Sequence, residues 1–338
     1  MSKLKIALAG IGGISQVVRI PILMKMEDVE LVAICDLDEA KISFIADKYD
    51  IPRTYFDYQD LLNKEELDGV FICTPNNMHY PMALASMEMG IPTLVEKPLA
   101  LNLKQAKRIA EKSKQTNTTL MIGMNHRFRD DATVMKEFID KNEIGEPYYI
   151  KSGWLRHWGR PQLQTWLTDS HISGGGVLMD MGIQLLDLTL WLLNMPKIKN
   201  VRGYTYNIFE TGDVEDSALV TIQTSTDVVI TIEVSWRMHL EKDMIYTHIF
   251  GKGGGALMNP LRLFKELHGK LVNVTPVDVE TTVDVFKRSF EKEIQNFIYV
   301  LKGEERPVTP VEDGVYLMEI IDAVYMSAQS GKQIDLPS

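Results

Sequence analysis

Cysteine is nearly missing from this chain: Cys35 and Cys73 are the only two among 338 residues. Each ends a short apolar run, so they read as small buried hydrophobes rather than a disulfide or a metal pair, which fits a reducing compartment. Excess positive charge is missing too. Lys and Arg number 36 against 46 Asp and Glu, a formal charge of -10. Nucleic-acid binding needs a basic surface to displace counterions, so nucleic acid is excluded as a main partner. A local basic pocket for an anionic substrate stays compatible with this charge. No apolar run approaches the roughly 20 residues of a membrane span, and the opening Met1-Ser2-Lys3-Leu4-Lys5 leads into a strand without a signal-peptide pattern. A cytoplasmic protein with no membrane partner is expected. No cluster of His, Cys and carboxylates suggests a metal, and none is expected.

What is present is ordinary globular material, 45% hydrophobic and 24% charged, in a length that suits about two domains. The first third alternates apolar strands at 4–9, 29–35, 69–73, 93–96 and 119–123 with helical patterns near 14–24, 39–49, 81–89 and 103–115. Pro21 is expected to split the first helix. Such alternation predicts a doubly wound parallel sheet covered on both faces. After Met124 the pattern changes. A helix near 132–141 and a strand near 148–155 precede a loop rich in aromatics and charge. A long helix follows Gly174-Gly175-Gly176. Strands near 201–208, 217–223, 228–236 and 244–250 then succeed one another without helices, and two helices near 285–301 and 315–329 close the chain. The expectation is α/β: a Rossmann domain over 1–124, then an α+β domain over 125–338 on a large open sheet, antiparallel or mixed.

Ala9-Gly10-Ile11-Gly12-Gly13-Ile14-Ser15 joins the first strand to the first helix. Gly10 permits a tight turn, Gly12 lets a pyrophosphate approach the backbone, and Gly13 and Ile14 open the helix whose N-terminus supplies donors. Ser15 stands where the fingerprint has a third glycine, and it is still small. A bare structural turn would look similar, but Asp36 ends the second strand about 20 residues on, where a carboxylate can hold the adenosine ribose hydroxyls. A charge there repels a 2′-phosphate, so NAD is favoured over NADP. Asp38 suits a helix N-cap.

Two further groups carry possible chemistry. Glu96-Lys97-Pro98 ends an apolar strand, and Pro98 biases Lys97 toward an extended backbone. A lysine at the cofactor edge of the sheet can carry the proton that accompanies hydride transfer; a solvated surface lysine is the plainer alternative. Asp180, Gln184, Asp187 and Trp191 recur at helical spacing and share a face, opposite Leu178, Leu185, Leu188 and Leu192. They fit either a substrate-orienting face or a solvated one.

Taken together, the glycine turn, Glu96-Lys97-Pro98, Asn125-His126-Arg127-Phe128, the segment from Gly174 to Gly182 with Asp180, and the closing Gly331-Lys332-Gln333-Ile334-Asp335 resemble the glucose–fructose oxidoreductase / inositol dehydrogenase / MocA family over nearly the whole chain. The resemblance implies NAD-dependent hydride transfer to or from a secondary alcohol or ketone of a sugar or polyol. It implies that Lys97 stands close to nicotinamide and substrate, and that Glu96, Thr74, Pro75, Asn76 and His79 line the cofactor. Asn125 and Arg127 would border the pocket, and Asp180 would face the reacting carbon. Homodimers or homotetramers built on the open sheet are also implied.

One departure matters. Many members carry histidine where this chain has Gln184, and an amide cannot exchange a proton at neutral pH. Either Lys97 does the acid–base work alone, or His157, His171 or Tyr148 contributes, or alcohol oxidation is not the natural reaction. Trp154, Arg156, Trp158 and Arg160 have the character of sugar-stacking and clamping groups. Two alternatives accompany the dehydrogenase reading. One is an enzyme that retains NAD through transient oxidation and elimination; the other is a nucleotide-binding regulator without chemistry.

Overall fold

The computed structural model describes residues 3–158, 166–209, 212–277, 279 and 285–337. Two compact units emerge: Met1–Asn125 with Phe290–Val315, and His126–Ser289 with Tyr316–Ser338.

In the first unit, short Val/Ile/Leu-rich runs become β1 (Leu4–Ala9), β2 (Val29–Cys35), β4 (Gly69–Ile72), β5 (Thr93–Glu96) and β6 (Leu120–Gly123), with β3 (Arg53–Tyr55) at one edge. Their order is β3-β2-β1-β4-β5-β6, every pairing parallel. Strand β4 inside the sheet and β6 at its far edge are buried at every residue, as a sheet covered on both faces requires. The order reverses between β1 and β4, the place where open parallel sheets bind ligands beyond their carboxyl ends. Local caps agree with the pattern: Asn102 accepts from the Gln105 amide to start the helix Leu103–Thr116, and Asn117 ends it in left-handed conformation. The segment Phe290–Val315 joins this unit through Thr309, whose hydroxyl donates to the Ile122 carbonyl at 2.7 Å.

The first helix comes in two pieces, as Pro21 suggests: a widened π-type turn over Ser15–Arg19 passes directly into Ile20–Leu23, which places Pro21 in the first turn of the second piece, where its missing N–H costs little. One expectation needs correction: the helix expected to begin at Pro81 begins at Asn76 and carries Pro81 inside it, forgoing one main-chain bond. Strand β3 and the helix Tyr58–Lys64 are additions to the expected elements.

The second unit is built on a nine-stranded sheet of order β14-β13-β12-β11-β7-β10-β9-β8-β15. Its strands are β7 (Pro147–His157), β8 (Ile198–Tyr206), β9 (Ser217–Thr224), β10 (Val229–Met238), β11 (Met244–Gly251), β12 (Gly254–Met258), β13 (Arg262–Leu267), β14 (Lys270–Asn273) and β15 (Ile334–Asp335). Only β7 and β10 run parallel, so the sheet is mixed and mostly antiparallel. Alternating burial along β9 and β10 gives it one covered and one open face. On the open face Tyr246 crosses Gly153, where a Cβ would meet its ring at 2.6 Å, and its hydroxyl donates to Glu233.

The span Ser170–Leu192, which includes the core helix that follows the three glycines, is, against the sequence expectation, long and apolar enough to cross a membrane. However, 83% of its most apolar 18-residue window is buried inside the protein, so it belongs to the core of this unit. Cys35 and Cys73 are both buried and unbridged, and burial pushes each thiol up to about 12.

Candidate active site

The turn after β1 forces glycine at one position and leaves room at two others. Gly10 adopts φ +91°, and a Cβ there would lie 2.5 Å from the Cys73 carbonyl group. At Gly12 and Gly13 a Cβ would meet nothing within 4 Å. These bare residues form an open cradle ahead of a helix start, where unsatisfied N–H groups favour a pyrophosphate. Ser15 is buried, and its hydroxyl donates to the Gly10 carbonyl at 2.5 Å, so it closes the turn from within.

Asp36 sits beside this cradle. One carboxylate oxygen accepts from the Ile11 amide at 2.6 Å and the other from the Asp38 amide at 3.0 Å. Lys41 stands 3.7 Å from it. Asp38 accepts from the Lys41 amide and caps the helix Glu39–Tyr49, so the two aspartates divide the roles of ribose candidate and cap. A free-standing glycine cradle with a fixed carboxylate one strand away fits a dinucleotide.

After β4, Pro75 precedes the helix that Asn76 begins, while Asn76 and His79 are buried and Thr74 is half-buried. His79 spends both ring nitrogens on main-chain carbonyls, 2.7 Å to Pro98 and 2.9 Å to Thr74. It thereby ties the loop after β4 to the loop after β5. Burial holds its imidazole below the usual value, although the two carbonyls act in the opposite direction.

Lys97 follows the end of β5, half-buried, and the Lys97–Pro98 peptide is cis. Glu96 is held from behind: one of its oxygens accepts from Arg19 Nε at 2.8 Å and Nη2 at 2.5 Å. Arg19 is 0% exposed, and its Nη1 pairs with Glu293 at 2.5 Å. No sequence signal singled out Arg19 or Glu293, because a lone arginine inside an apolar helix shows nothing of its partners. Asn125 is buried at the end of this unit's first segment.

In the second unit, the three glycines let the core helix begin against the backbone of the segment just before β9. A Cβ on Gly176 would lie 1.9 Å from the Glu215 carbonyl oxygen. The buried Glu215 carboxylate accepts from the Gly176 and Leu178 amides at 3.0 Å each and from the Tyr325 hydroxyl at 2.9 Å. Burial raises this carboxyl above its ordinary value despite those donors. Glu215 thus caps the helix that carries the aspartate and amide. Asp180 lies in a π-type turn over Leu178–Gly182, a feature often found at functional sites. Its Oδ2 accepts from the buried Trp236 indole N–H at 2.9 Å, a contact no sequence spacing could have revealed. Gln184 is 8% exposed, and its Oε1 has no hydrogen-bond partner among the described residues. Asp187 is taken by Arg127: Nε reaches both carboxylate oxygens at 3.1 and 2.9 Å, and Nη2 reaches one at 2.5 Å. With Arg127 3% exposed and Asp187 1% exposed, this pair braces the core helix from within.

The other sequence-predicted residues lie on or near β7. Trp154 stacks on buried His126 at 5.8 Å, with the Arg156 guanidinium also 5.8 Å from its ring. The His157 main-chain amide donates to Asp243, and its Nδ1 lies 2.9 Å from the same oxygen. Trp158 has Arg237 at 3.5 Å from its ring centre and His239 stacked at 4.4 Å. Trp158 itself stays exposed. His171 and Tyr148 are exposed, and Arg160 falls outside the described residues. Among the described residues no group of His, Cys, Asp and Glu side chains could hold a metal ion.

Comparison with known proteins matches residues 4–124 to the oxidoreductase family with an NAD-binding Rossmann fold, and residues 136–336 to the C-terminal alpha/beta domain of the same family. The chain is 27% identical over 350 residues to the D-glucoside 3-dehydrogenase of Escherichia coli, covering 99% of this chain and 98% of that one. It is 26% identical to the inositol 2-dehydrogenase/D-chiro-inositol 3-dehydrogenase of Lactiplantibacillus plantarum, covering 98% and 93%. In three dimensions it superposes with TM-score 0.88 on an oxidoreductase from Agrobacterium radiobacter in complex with NAD+, L-tartaric acid and magnesium, at 21% identity and 99% and 98% coverage.

Proposed function

This chain belongs to the glucose–fructose oxidoreductase / inositol dehydrogenase / MocA oxidoreductase family, and on that premise we propose that it oxidises a secondary hydroxyl of a sugar, cyclitol or related polyol, or reduces the matching ketone. The observation that carries this reading lies in the first unit: an open glycine cradle, a fixed Asp36 and Lys97 all lie at the carboxyl ends of one parallel sheet. NAD, when bound, supplies the acceptor for the hydride. Gly10, Gly12, Gly13 and Ile14 would hold its pyrophosphate, Asp36 its adenosine ribose, and the Thr74–Asn76 turn with Glu96 and Asn125 would line the rest.

The chain's own residues manage the proton and the substrate. Loss of a hydride from a carbinol carbon leaves the hydroxyl proton to be removed, and Lys97 takes it; in reduction Lys97 returns it. Asp180, aimed by Trp236, accepts from a substrate hydroxyl. Gln184 offers a buried carbonyl oxygen to another, which supports an orienting role that needs no exchangeable proton. Trp154 and Arg156 offer an apolar face and a donor to the sugar ring. Residues 125–338, apart from the Phe290–Val315 segment that belongs to the first unit, serve as the substrate-binding and oligomerisation domain. The open sheet face, with Tyr204 directly opposite Leu219 and both exposed, supports a homodimer or homotetramer. Two buried free thiols agree with a cytoplasmic enzyme.

A panel of sugars and cyclitols assayed with NAD at the NADH absorbance tests the reading. Turnover on at least one polyol is expected. Tight NADH binding with no turnover across the panel would instead describe a nucleotide-binding regulator. Asp36→Ala is expected to weaken NAD about tenfold, the order of a lost charge-assisted hydrogen bond, and to narrow the preference over NADP. Equal affinity of the parent protein for both cofactors, measured by fluorescence titration, would remove Asp36 from ribose recognition.

A further inference from the structure

We propose that Arg19 and Glu293 form a buried charge clamp that fixes Glu96, and through it the strand end bearing Lys97, so that both are positioning residues for hydride and proton transfer. The inference rests on the proposed role of Lys97.

A guanidinium with no exposure is costly to bury unless carboxylates compensate it. Here it meets two, from opposite directions in the chain. Glu96 takes the Nε/Nη2 side at 2.8 and 2.5 Å, and Glu293 takes Nη1 at 2.5 Å. Phe290 covers the guanidinium at 5.1 Å and Phe71 approaches it at 5.9 Å, so water does not screen the pairings. Although burial opposes it, the two carboxylates raise the Arg19 pKa and keep it charged.

Its geometry reaches toward the site rather than away from it. Arg19 ends the π-type turn of the helix that follows the glycine cradle, whereas Glu96 ends β5 one residue before Lys97. One side chain thus couples the pyrophosphate turn to the lysine strand. Glu293 comes from the returning segment of the first unit, which makes that late piece of chain part of the cofactor-side machinery. The far oxygen of Glu96 is confined as well, because a Cβ on Gly123 would lie 2.9 Å from it. Had Arg19 only to be neutralised, one carboxylate would suffice; the second holds the guanidinium from its Nη1 side while the Nε and Nη2 donors stay on Glu96.

Two variants test this without removing the buried cation. Glu293→Gln loosens the clamp from behind, and Gly123→Ala displaces the Glu96 carboxylate from the side. Each is expected to lower kcat per active site about 3- to 30-fold while the NADH dissociation constant, set mainly by the cradle and Asp36, changes less than threefold. The fluorescence lifetime of bound NADH should shorten, because the nicotinamide end loses its fixed surroundings. Unchanged kcat and lifetime in both variants, with only the melting temperature lowered, would make the trio purely structural and overturn the proposal. If one variant fails to fold, the other carries the test. Failure of the Lys97 reading is separate: it would show as full turnover in Lys97→Met, whereas failure of the clamp alone leaves Lys97→Met inactive.

Discussion

Lys97→Met is expected to lower turnover by about 10²–10⁴-fold, the usual contribution of a positioned general acid–base, with NAD affinity largely kept. Methionine preserves the length and apolar stem of lysine but can neither take nor give a proton. The affinity should survive because the groups expected to bind the dinucleotide are elsewhere: the bare backbone at Gly12 and Gly13 and the carboxylate of Asp36. A side chain on Gln184 cannot substitute, since an amide does not exchange protons near neutral pH. His79 cannot either, because both its ring nitrogens are occupied by carbonyls and it is fully buried. Single-turnover measurement of NADH formation separates the chemical step from binding and release. Turnover within threefold of the parent would take Lys97 out of the mechanism and return attention to His157, whose ring is oriented by Asp243.

Much of the first unit was legible because its signals are local. Strands β1, β2 and β5 are apolar runs bounded by turn residues, and the amphipathic helix Leu103–Thr116 carries its own cap. Strand β3 escaped notice since Arg53-Thr54-Tyr55 has no apolar pattern; it exists because β2 offers it an edge. The same holds for β14, whose four residues are all exposed and pair only with β13. Proline marks a break at Pro21 but not at Pro81, because its penalty depends on where it falls in a helix and on whether a widened turn precedes it.

The candidate site divides along a similar line. Residues recognised through contact with backbone or cofactor leave marks in sequence: the glycines, Asp36, Lys97 before its proline. Residues that act by gripping another side chain leave none. Trp236 reaches Asp180 across 56 positions, Glu215 reaches Leu178 across 37, and Arg19 reaches Glu96 across 77. Helical spacing put Asp187 on the same face as Asp180 and Gln184, yet could not show that an arginine covers it.

That covering makes the second large prediction. Asp187→Ala leaves the Arg127 guanidinium buried without the carboxylate that compensates it, which is expected to cost about 3–5 kcal/mol of stability. For a unit of this size the melting temperature should fall by on the order of 10 °C. The double variant Arg127→Met/Asp187→Leu, apolar and of similar volume, should recover most of the loss, since replacing a whole buried pair is far cheaper than breaking it. Calorimetry on parent, single and double variants decides the point: a single variant within 1 kcal/mol of the parent would mean that the pair does not brace the helix. The rescued double variant also separates two roles for Arg127. A brace alone predicts that substrate KM returns toward the parental value along with stability. Restored stability with KM still raised tenfold or more would show that the guanidinium also touches substrate, as the family resemblance implies, and that bracing accounts for only part of its burial.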